Sequence, residues 1–162
     1  MKLFWAKVRE NAVIPSKRDE DAGYDLYPCF DEDYLEFQPF ETRIVPLGVA
    51  SAFDSDCVMI LKERGSTGTR GIAVRAGVMD SGYRGEYLAP ITNLNSRPLR
   101  IAKARVLSQM DSKEFILYPY EKAVCQGVLL QMPKTDVHEI SLDELNEMDS
   151  ARLDGRLGSS GK

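Results

Sequence analysis

The sequence predicts an all-β protein built as a sandwich or barrel. Its apolar runs are short and rich in β-branched and aromatic residues, and turn formers separate them at the spacing typical of that class. The runs that favour strands lie at 3–8, 43–50, 57–61, 71–74, 86–92, 114–120 and 127–132. Prolines at positions 46, 90 and 119 fall inside three of these runs, which predicts edge strands, bulges or two shorter strands there.

One short helix is predicted near the C-terminal end, at about 141–148. Ser141 is a good N-cap, and Glu144 three residues later completes the pattern of a capping box. An apolar stripe follows the helix, formed by Leu142, Leu145 and Met148. We expect that stripe to serve in packing.

The last residues lose all periodicity. The stretch 151–162 is rich in Gly and Ser and carries two arginines, a composition typical of a flexible segment. We therefore predict a single β domain over 1–150, followed by a flexible Gly-rich arm over 151–162. A chain of 162 residues is long enough for one domain with a substantial core.

The overall composition argues against several classes of function. A net charge of −4 leaves no sequence-wide basic field for nucleic acid or an anionic membrane. No apolar run approaches the roughly 20 residues that a transmembrane helix needs. Three widely spaced cysteines are typical of reduced thiols in a cytoplasmic protein rather than a disulfide framework. We expect neither nucleic-acid binding nor membrane association.

Histidine chemistry is excluded within one chain. His138 is the only histidine and lies in a polar stretch, so neither a His-based triad nor a multi-His metal site can form. A carboxylate must therefore act as any general base, and the candidate is Asp80 in the Gly-rich stretch 76–86.

Phosphate recognition is predicted at two other Gly-rich stretches. Arg64 and Arg70 flank hydroxyl residues and glycines, so guanidinium groups, hydroxyls and backbone N–H groups can all meet an anion. The arm offers similar chemistry with Arg152 and Arg156. Two such elements indicate a polyphosphate, whose charge requires Mg²⁺ held largely by phosphates and water. Asp25 is the predicted outer-sphere partner of that ion, acting through water.

Taken together, these stretches resemble the motifs of the homotrimeric dUTP pyrophosphatase (dUTPase) family. "AGYDLY" at 22–27 is similar to the first motif, and "RGST" followed by "RGI" at 64–72 is similar to the second. "AGVMDSGYRGE" at 76–86 matches the third, which is the most specific. "RVLSQM" at 105–110 resembles the fourth motif, and "GRLGSSGK" at 155–162 resembles the fifth, a C-terminal arm.

The resemblance implies a jelly-roll-like β subunit, assembled as a homotrimer with active sites shared between subunits. It also implies hydrolysis of dUTP to dUMP and pyrophosphate with Mg²⁺. That reaction limits uracil incorporation into DNA and supplies dUMP for dTMP synthesis.

The resemblance also implies roles for individual residues. Asp80 positions the attacking water, and Tyr83 packs against the deoxyribose and leaves no room for a 2′-hydroxyl. The hairpin backbone around Ala76, Gly77 and Met79 pairs with the uracil edge. The remaining substrate contacts fall to the second, fourth and fifth motifs, at Arg64, Gly65, Ser66, Gln109, Arg152, Leu157, Gly158, Ser159 and Ser160.

The chain departs from the family pattern at several positions, and these departures leave more than one function open. Gly65 stands where Ser is common, and Leu157 stands where the arm usually presents a stacking Phe. A dCTP deaminase shares the fold and the Asp-x-Gly-aromatic hairpin, but the position of its catalytic Glu falls on Pro90 here. A bifunctional dCTP/dUTP enzyme and a non-catalytic, dUTPase-like regulatory protein are also compatible with these departures.

Overall fold

The fold consists of four β-sheets around a hydrophobic core, seen in a computed structural model that describes residues 2–150. The strands are β1 (Leu3–Lys7), β2 (Gly23–Leu26), β3 (Tyr34–Phe37), β4 (Thr42–Pro46), β5 (Val49–Phe53), β6 (Cys57–Lys62), β7 (Ile72–Val74), β8 (Val78–Asp80), β9 (Leu88–Asn93), β10 (Leu99–Ala102), β11 (Ile116–Pro119) and β12 (Cys125–Gln131). The helices are α1 (Gly65–Gly68), α2 (Ala104–Leu107) and α3 (Leu142–Glu147). The all-β prediction is confirmed.

The largest sheet has the strand order β2-β12-β6-β8. Two three-stranded sheets, β4-β9-β7 and β11-β10-β3, and the pair β1-β5 complete the body. All these pairs are antiparallel except β10 with β11, whose parallel pairing requires a crossover that contains α2. Within residues 2–150 no sheet closes on itself, so the arrangement is a sandwich of sheets rather than a closed barrel.

Side-chain alternation explains why the strands of the largest sheet form. In β6, the side chains of Cys57, Met59 and Leu61 are buried, and the residues between them are only half-buried. Each buried side chain of this kind stabilises the fold by about 1.5–3 kcal/mol. On the neighbouring strand, a Cβ at Gly127 would lie 2.7 Å from the sulfur of Met59. The core is therefore closely packed where β12 meets β6.

The three cysteines are all free and buried, as predicted for reduced thiols. Burial raises the pKa of the Cys125 thiol to about 12. Because the thiolate is the reactive form, this buried thiol is poorly reactive and packs in the core.

The three prolines have different effects on the strands. Pro46 ends β4 and splits the run 43–50 into two strands, and Pro119 ends the edge strand β11. Pro90 does not fit the prediction, because it lies inside β9, which is paired on both sides. Its carbonyl accepts a hydrogen bond from the backbone N–H of Arg75 at 2.9 Å, just beyond the end of β7. The missing proline N–H removes the reciprocal bond, which ends the ladder there.

The helix predicted near the C-terminal end is confirmed as α3. The Ser141 hydroxyl accepts from the backbone N–H of Glu144 at 3.2 Å, and the Glu144 carboxylate accepts from the backbone N–H of Ser141 at 2.8 Å. This bond from the Ser141 backbone lowers the pKa of Glu144. The prediction that the apolar stripe serves in packing is wrong for the single chain, because Leu142 and Leu145 remain 70% and 53% exposed. No helix in the described part of the chain is long and apolar enough to cross a membrane.

A buried amide joins neighbouring loops near the end of β9. The Asn93 side chain is fully buried, and its amide nitrogen lies 3.3, 3.2 and 2.9 Å from the carbonyl oxygens of Phe37, Gln38 and Arg97. Its amide oxygen accepts from the backbone and side-chain N–H groups of Asn95 at 3.1 and 3.0 Å. Removing this side chain would leave several buried polar groups without partners.

We predict that Asn93→Ala lowers the free energy of unfolding by about 2–3 kcal/mol, the cost of leaving buried polar groups unsatisfied. Urea denaturation followed by tryptophan fluorescence measures the change. The matched control is Asn146→Ala on exposed α3, where we expect a change within about 0.5 kcal/mol. Equal effects from the two substitutions would contradict the structural role of Asn93.

Candidate active site

The first and second motifs meet at an ion pair. Arg64 Nε lies 2.8 Å from Asp25 Oδ1, and Arg64 Nη2 lies 3.1 Å from Asp25 Oδ2. Both side chains are about two-thirds buried, at 30% and 32% exposed. The two parallel bonds fix the orientation of the guanidinium group and compensate the charge of the Asp25 carboxylate.

The backbone around Arg64 forms the short helix α1, which was not predicted. The buried Thr67 hydroxyl accepts from the backbone N–H of Arg64 at 2.9 Å, and the Arg64 carbonyl accepts from the Thr67 N–H at 3.0 Å. This turn leaves Gly65 and Ser66 exposed, with Ser66 Oγ 3.5 Å from Arg64 Nη1. Open space surrounds Gly65, since a Cβ there would have no neighbour within 4 Å. The second motif thus presents a guanidinium group, a hydroxyl and accessible backbone together.

An open cleft of about 830 Å³ lies over this ion pair. It is lined by Ser16, Lys17, Arg18, Glu20, Asp21, Ala22, Gly23, Asp25, Arg64, Gly65, Ser66 and Gln126. The segment from Ser16 to Arg18 was missed in the sequence, although its two cations directly precede the acidic run of the first motif. The Asp25 backbone N–H donates to the Ser16 carbonyl at 2.9 Å, which brings this segment to the cleft.

Gln126 is the other residue of the cleft that sequence reasoning missed. It lies opposite Asp25 in the β12–β2 pairing, and its amide donates to the Glu63 carbonyl at 2.8 Å. A Cβ at Gly23 would lie 2.4 Å from Gln126 Oε1, so the glycine of the first motif leaves room for this side chain. Gln126 belongs to no local motif. Only the strand register places it beside Asp25, so no pattern in the sequence indicates it.

The third motif forms a hairpin that presents Asp80 at its edge. Asp80 ends β8 opposite Val58 of β6, and its side chain is exposed. Within residues 2–150 its carboxylate has neither a hydrogen bond nor an ion pair, in contrast to Asp25. Asp80 is therefore free to hold a water molecule or another donor.

Close backbone contact fixes the start of this hairpin. The Leu61 N–H donates to the Gly77 carbonyl at 2.6 Å, and a Cβ at Gly77 would lie 2.3 Å from the Leu61 carbonyl oxygen. Ala76 adopts a positive φ of 48°, which lets the chain turn into β8. Met79 lies opposite Met59, and its side chain packs against the core.

Tyr83 is held at the far side of the hairpin. Its ring is 41% exposed, and its hydroxyl donates to the Glu86 carbonyl at 3.0 Å. Gly85 lies under the ring, since a Cβ there would be 2.4 Å from the Tyr83 hydroxyl oxygen. The Glu86 carboxylate accepts from Arg9 Nε at 2.7 Å and from the Gly48 N–H at 3.0 Å, which anchors the hairpin to the body.

The structure brings Asp25, Arg64 and Ser66 together but leaves Asp80 at a distance within the chain. Asp25 aligns with Gln126, which aligns with Lys62 on β6, whereas Asp80 aligns with Val58 on the same strand. From ordinary strand spacing and rise, this register separates the Cα atoms of Asp25 and Asp80 by roughly 14 Å across the sheet and roughly 13 Å along it. The first three motifs therefore do not converge on one pocket within a single subunit.

The remaining predicted residues lie elsewhere. Gln109 follows α2, a four-residue helix that was not predicted, and its amide lies 3.4 Å from the Arg105 carbonyl. Its described hydrogen bonds do not reach Arg64 or Asp25. The predicted arm, with Arg152, Leu157, Gly158, Ser159 and Ser160, lies outside the described residues.

The oxygen ligands in the cleft over the Arg64–Asp25 ion pair suit a metal ion that is held through water. Among residues 2–150 no three His, Cys, Asp or Glu side chains cluster as metal ligands. Asp25 offers one carboxylate, and both of its oxygens already accept from Arg64. Its remaining lone pairs can accept from water, which suits an outer-sphere contact rather than direct ligation.

Comparison with known proteins identifies the family. A family model described as dUTPase matches residues 9–112. The chain belongs to the dUTPase family. Among curated relatives, the deoxyuridine 5'-triphosphate nucleotidohydrolase of Mycolicibacterium gilvum is 33% identical over 153 residues, covering 91% of this chain and 87% of the relative. The enzyme of the same name from Leptospira interrogans is 31% identical over 114 residues, covering 68% and 78%.

Solved dUTPase structures share the fold. A variant of the dUTPase of Staphylococcus bacteriophage 80alpha, solved with dUpNHpp, matches with a TM-score of 0.78 at 18% identity, covering 99% of both chains. A variant of the dUTPase from phage phi11 of S. aureus, described for its coordination of a structural Mg(II) ion, matches with a TM-score of 0.67 at 20% identity, covering 86% and 97%. These matches confirm the predicted jelly-roll-like fold.

Glu63 fixes the second motif against β7. Its carboxylate accepts from the Val74 backbone N–H at 2.7 Å and lies 3.6 Å from the Lys62 ammonium group. Burial by itself raises the pKa of Glu63, but the hydrogen bond from Val74 and the nearby charge of Lys62 bring that pKa below its ordinary value. The Glu63 carboxylate therefore stabilises the fold at pH values above its ordinary pKa. This stabilisation is lost as the pH falls through the lowered pKa of the folded state.

We predict that Glu63→Gln lowers the free energy of unfolding at pH 7 by about 1 kcal/mol, since a charge-assisted hydrogen bond becomes a neutral one. The difference from the unsubstituted protein should shrink as the pH falls below 4.5, the ordinary pKa. Urea denaturation between pH 7 and pH 3.5 measures it. The control is Glu114→Gln, an exposed carboxyl in the loop before β11. If the difference in the free energy of unfolding stays constant between pH 7 and pH 3.5, the stabilising role of the ionised Glu63 carboxylate is contradicted.

Proposed function

We propose that this protein hydrolyses dUTP to dUMP and pyrophosphate, with Asp80 as the general base that positions and polarises the attacking water. The observation that carries the proposal is the exposed Asp80 carboxylate, without a partner in the described chain, on a hairpin that matches the most specific motif of the family. Asp25 is unsuited to that role, because Arg64 already compensates its charge. The relatives named deoxyuridine 5'-triphosphate nucleotidohydrolases support this substrate.

The third motif is suited to select the nucleoside. Its backbone is held rigidly by the contact between Gly77 and Leu61, so a pyrimidine edge can be read by backbone groups, and a 5-methyl group is rejected by contact. Tyr83 is fixed by its bond to the Glu86 carbonyl, so its ring can pack on a deoxyribose and exclude a 2′-hydroxyl. A rigid wall discriminates better than an apolar pocket, in which one methyl group is worth only about 1–3 kcal/mol.

The phosphate chain would lie against Arg64 and Ser66, with Gln109 and the arm as further proposed contacts. Arg64 is pre-oriented by Asp25, so its guanidinium group loses little freedom when it meets an anion. Mg²⁺, the proposed cofactor, neutralises charge on the triphosphate when bound, and Asp25 would contact it through water. The residues Arg152, Leu157, Gly158, Ser159 and Ser160 are proposed to cover the bound nucleotide.

We propose that the active sites are shared between the subunits of a homotrimer. The support is the register of the largest sheet, which keeps Asp80 far from Asp25 and Arg64 in one chain. A second subunit that brings its Asp80 hairpin to the cleft over Arg64 would complete the site. This heterologous contact closes into a ring under three-fold symmetry.

A deaminase activity finds no support in this chain. The position that would carry its catalytic Glu is Pro90, which lies inside β9 and offers no titratable group. The family that matches residues 9–112 is dUTPase.

Our first test is pyrophosphate release from dUTP, dCTP, dTTP and UTP with Mg²⁺. We predict release from dUTP alone, and a decrease of about 10²–10⁴-fold in kcat for Asp80→Asn, the usual contribution of a general base. Binding of dUpNHpp by this variant should stay within a few-fold. The control, Asp136→Asn, removes an exposed carboxylate beyond β12 and should leave kcat unchanged. Full activity of Asp80→Asn would overturn the role of Asp80, and ammonia release from dCTP would favour the deaminase.

Shared sites predict complementation between two inactive variants. Asp80→Asn and Arg64→Gln are each expected to be inactive. Refolding the two variants together in equal amounts should restore about a quarter of the sites. In randomly mixed trimers, about a quarter of the subunit contacts join an intact Asp80 to an intact Arg64. Pyrophosphate release from dUTP measures the recovery. A mixture no more active than its two components would mean that each site is built within one subunit.

A further inference from the structure

A second cavity of about 430 Å³ adjoins the cleft of the candidate active site. The two share Asp25, Arg64 and Ser66. The second cavity is further lined by Tyr27, Arg70, Tyr118, Glu121, Lys122 and Ala123. It therefore extends the proposed phosphate site away from the first motif and toward the turn between β11 and β12.

Within residues 2–150, two of the cations that line this cavity have no side-chain partner. Of its two carboxylates, Asp25 is paired with Arg64, and Glu121 accepts from the Ala104 backbone N–H at 2.9 Å. In the described part of the chain, the side chains of Arg70 and Lys122 make neither an ion pair nor a hydrogen bond. Three cations against two carboxylates give the lining an excess of positive charge, although the protein as a whole carries −4.

The backbones that carry these two cations are held in hydrogen-bonded turns. The Arg70 N–H donates to the Thr67 carbonyl at 3.1 Å, at the end of the α1 turn. The Lys122 N–H donates to the Pro119 carbonyl at 3.1 Å, in the turn before β12. Both side chains are exposed and line the same cavity from different segments of the chain. Their Cα positions are therefore fixed, while their charged ends can adjust to a ligand.

Tyr118 also lines this cavity. Its side chain is buried, and its hydroxyl donates to the Ala123 carbonyl at 2.6 Å. Burial raises the pKa of Tyr118, so that this part of the lining carries no negative charge at neutral pH. An anion in this cavity would meet Arg64 and Ser66 together with the two free cations.

We propose that Arg70 and Lys122 form the subsite for the terminal phosphate of the nucleoside triphosphate. The proposal rests on the proposed function for its nucleotide. It assigns Arg70, which the sequence predicts only as a general anion contact, to one phosphate, and it adds Lys122, which no motif contains. A terminal phosphate carries more charge than an internal one and is the last group on the chain, so it requires cations beyond Arg64. The inner phosphates then lie at Arg64 and Ser66, and the subsite distinguishes a triphosphate from a monophosphate.

The test compares ligands that differ in phosphate number. We expect the double variant Arg70→Gln/Lys122→Gln to bind dUpNHpp about 10-fold or more weakly than the unsubstituted protein does, because two exposed, individually modest cation–phosphate contacts are lost. Its affinity for dUMP should stay within about two-fold of that of the unsubstituted protein, because dUMP does not reach these two residues. Isothermal titration calorimetry measures both. The control is Lys113→Gln, an exposed lysine before the opposite end of β11, which should change neither affinity. Equal weakening for both nucleotides, or no weakening for dUpNHpp, would overturn the subsite.

A second measurement separates this proposal from the proposed function. Tripolyphosphate should bind the unsubstituted protein and bind the double variant more weakly, whether or not the protein hydrolyses dUTP. If dUTP is not hydrolysed but tripolyphosphate binding still depends on these two residues, the anion subsite stands and the hydrolase assignment fails. The single variant Lys122→Gln, in an exposed turn, gives the same readout if the double variant does not fold. Unchanged tripolyphosphate binding in the folded variants would overturn the subsite.

Discussion

The pairing of β6 with β12 on one side and β8 on the other is the constraint on which the site depends. On one side, Lys62 lies opposite Gln126 of β12, the residue that also lies opposite Asp25, and Arg64 follows two residues after Lys62. On the other side, Asp80 lies opposite Val58, which is four residues before Lys62 along β6. Because a one-residue slip in register would turn the buried side chains of β6 outward, burial of that face helps to hold this separation. A subunit built this way presents two groups of motif residues on different parts of its surface, and in the proposed homotrimer a neighbouring subunit would join them.

The two carboxylates of the first and third motifs differ in chemistry because their partners differ. Asp25 is held by two bonds from Arg64, so its charge is compensated before any ligand arrives. Asp80 is exposed at the end of a short strand, without a partner among residues 2–150. One ion pair thus orients the guanidinium group that we propose binds phosphate, and the absence of a second ion pair leaves exposed the carboxylate that we propose acts on water. The proposed division of roles follows from these local contacts.

Glycines at the motif positions let neighbouring groups approach more closely than any side chain would allow. Gly77 touches the Leu61 carbonyl, Gly23 makes room for Gln126, and Gly85 lies under the Tyr83 ring. A side chain at any of these positions would push the neighbouring group away, so the close contacts in the hairpin and the cleft require glycine.

The sequence by itself determined the all-β class, the capped helix α3, the free thiols and the motif residues, because alternation, caps and motifs are local patterns. It did not determine that Pro90 lies in a central strand, that the stripe of α3 is exposed, or that Gln126 lies opposite Asp25. These features depend on which strands pair and in which register, and such pairing joins residues far apart in the chain. Local propensity carries no information about that choice, so only the tertiary structure decided it.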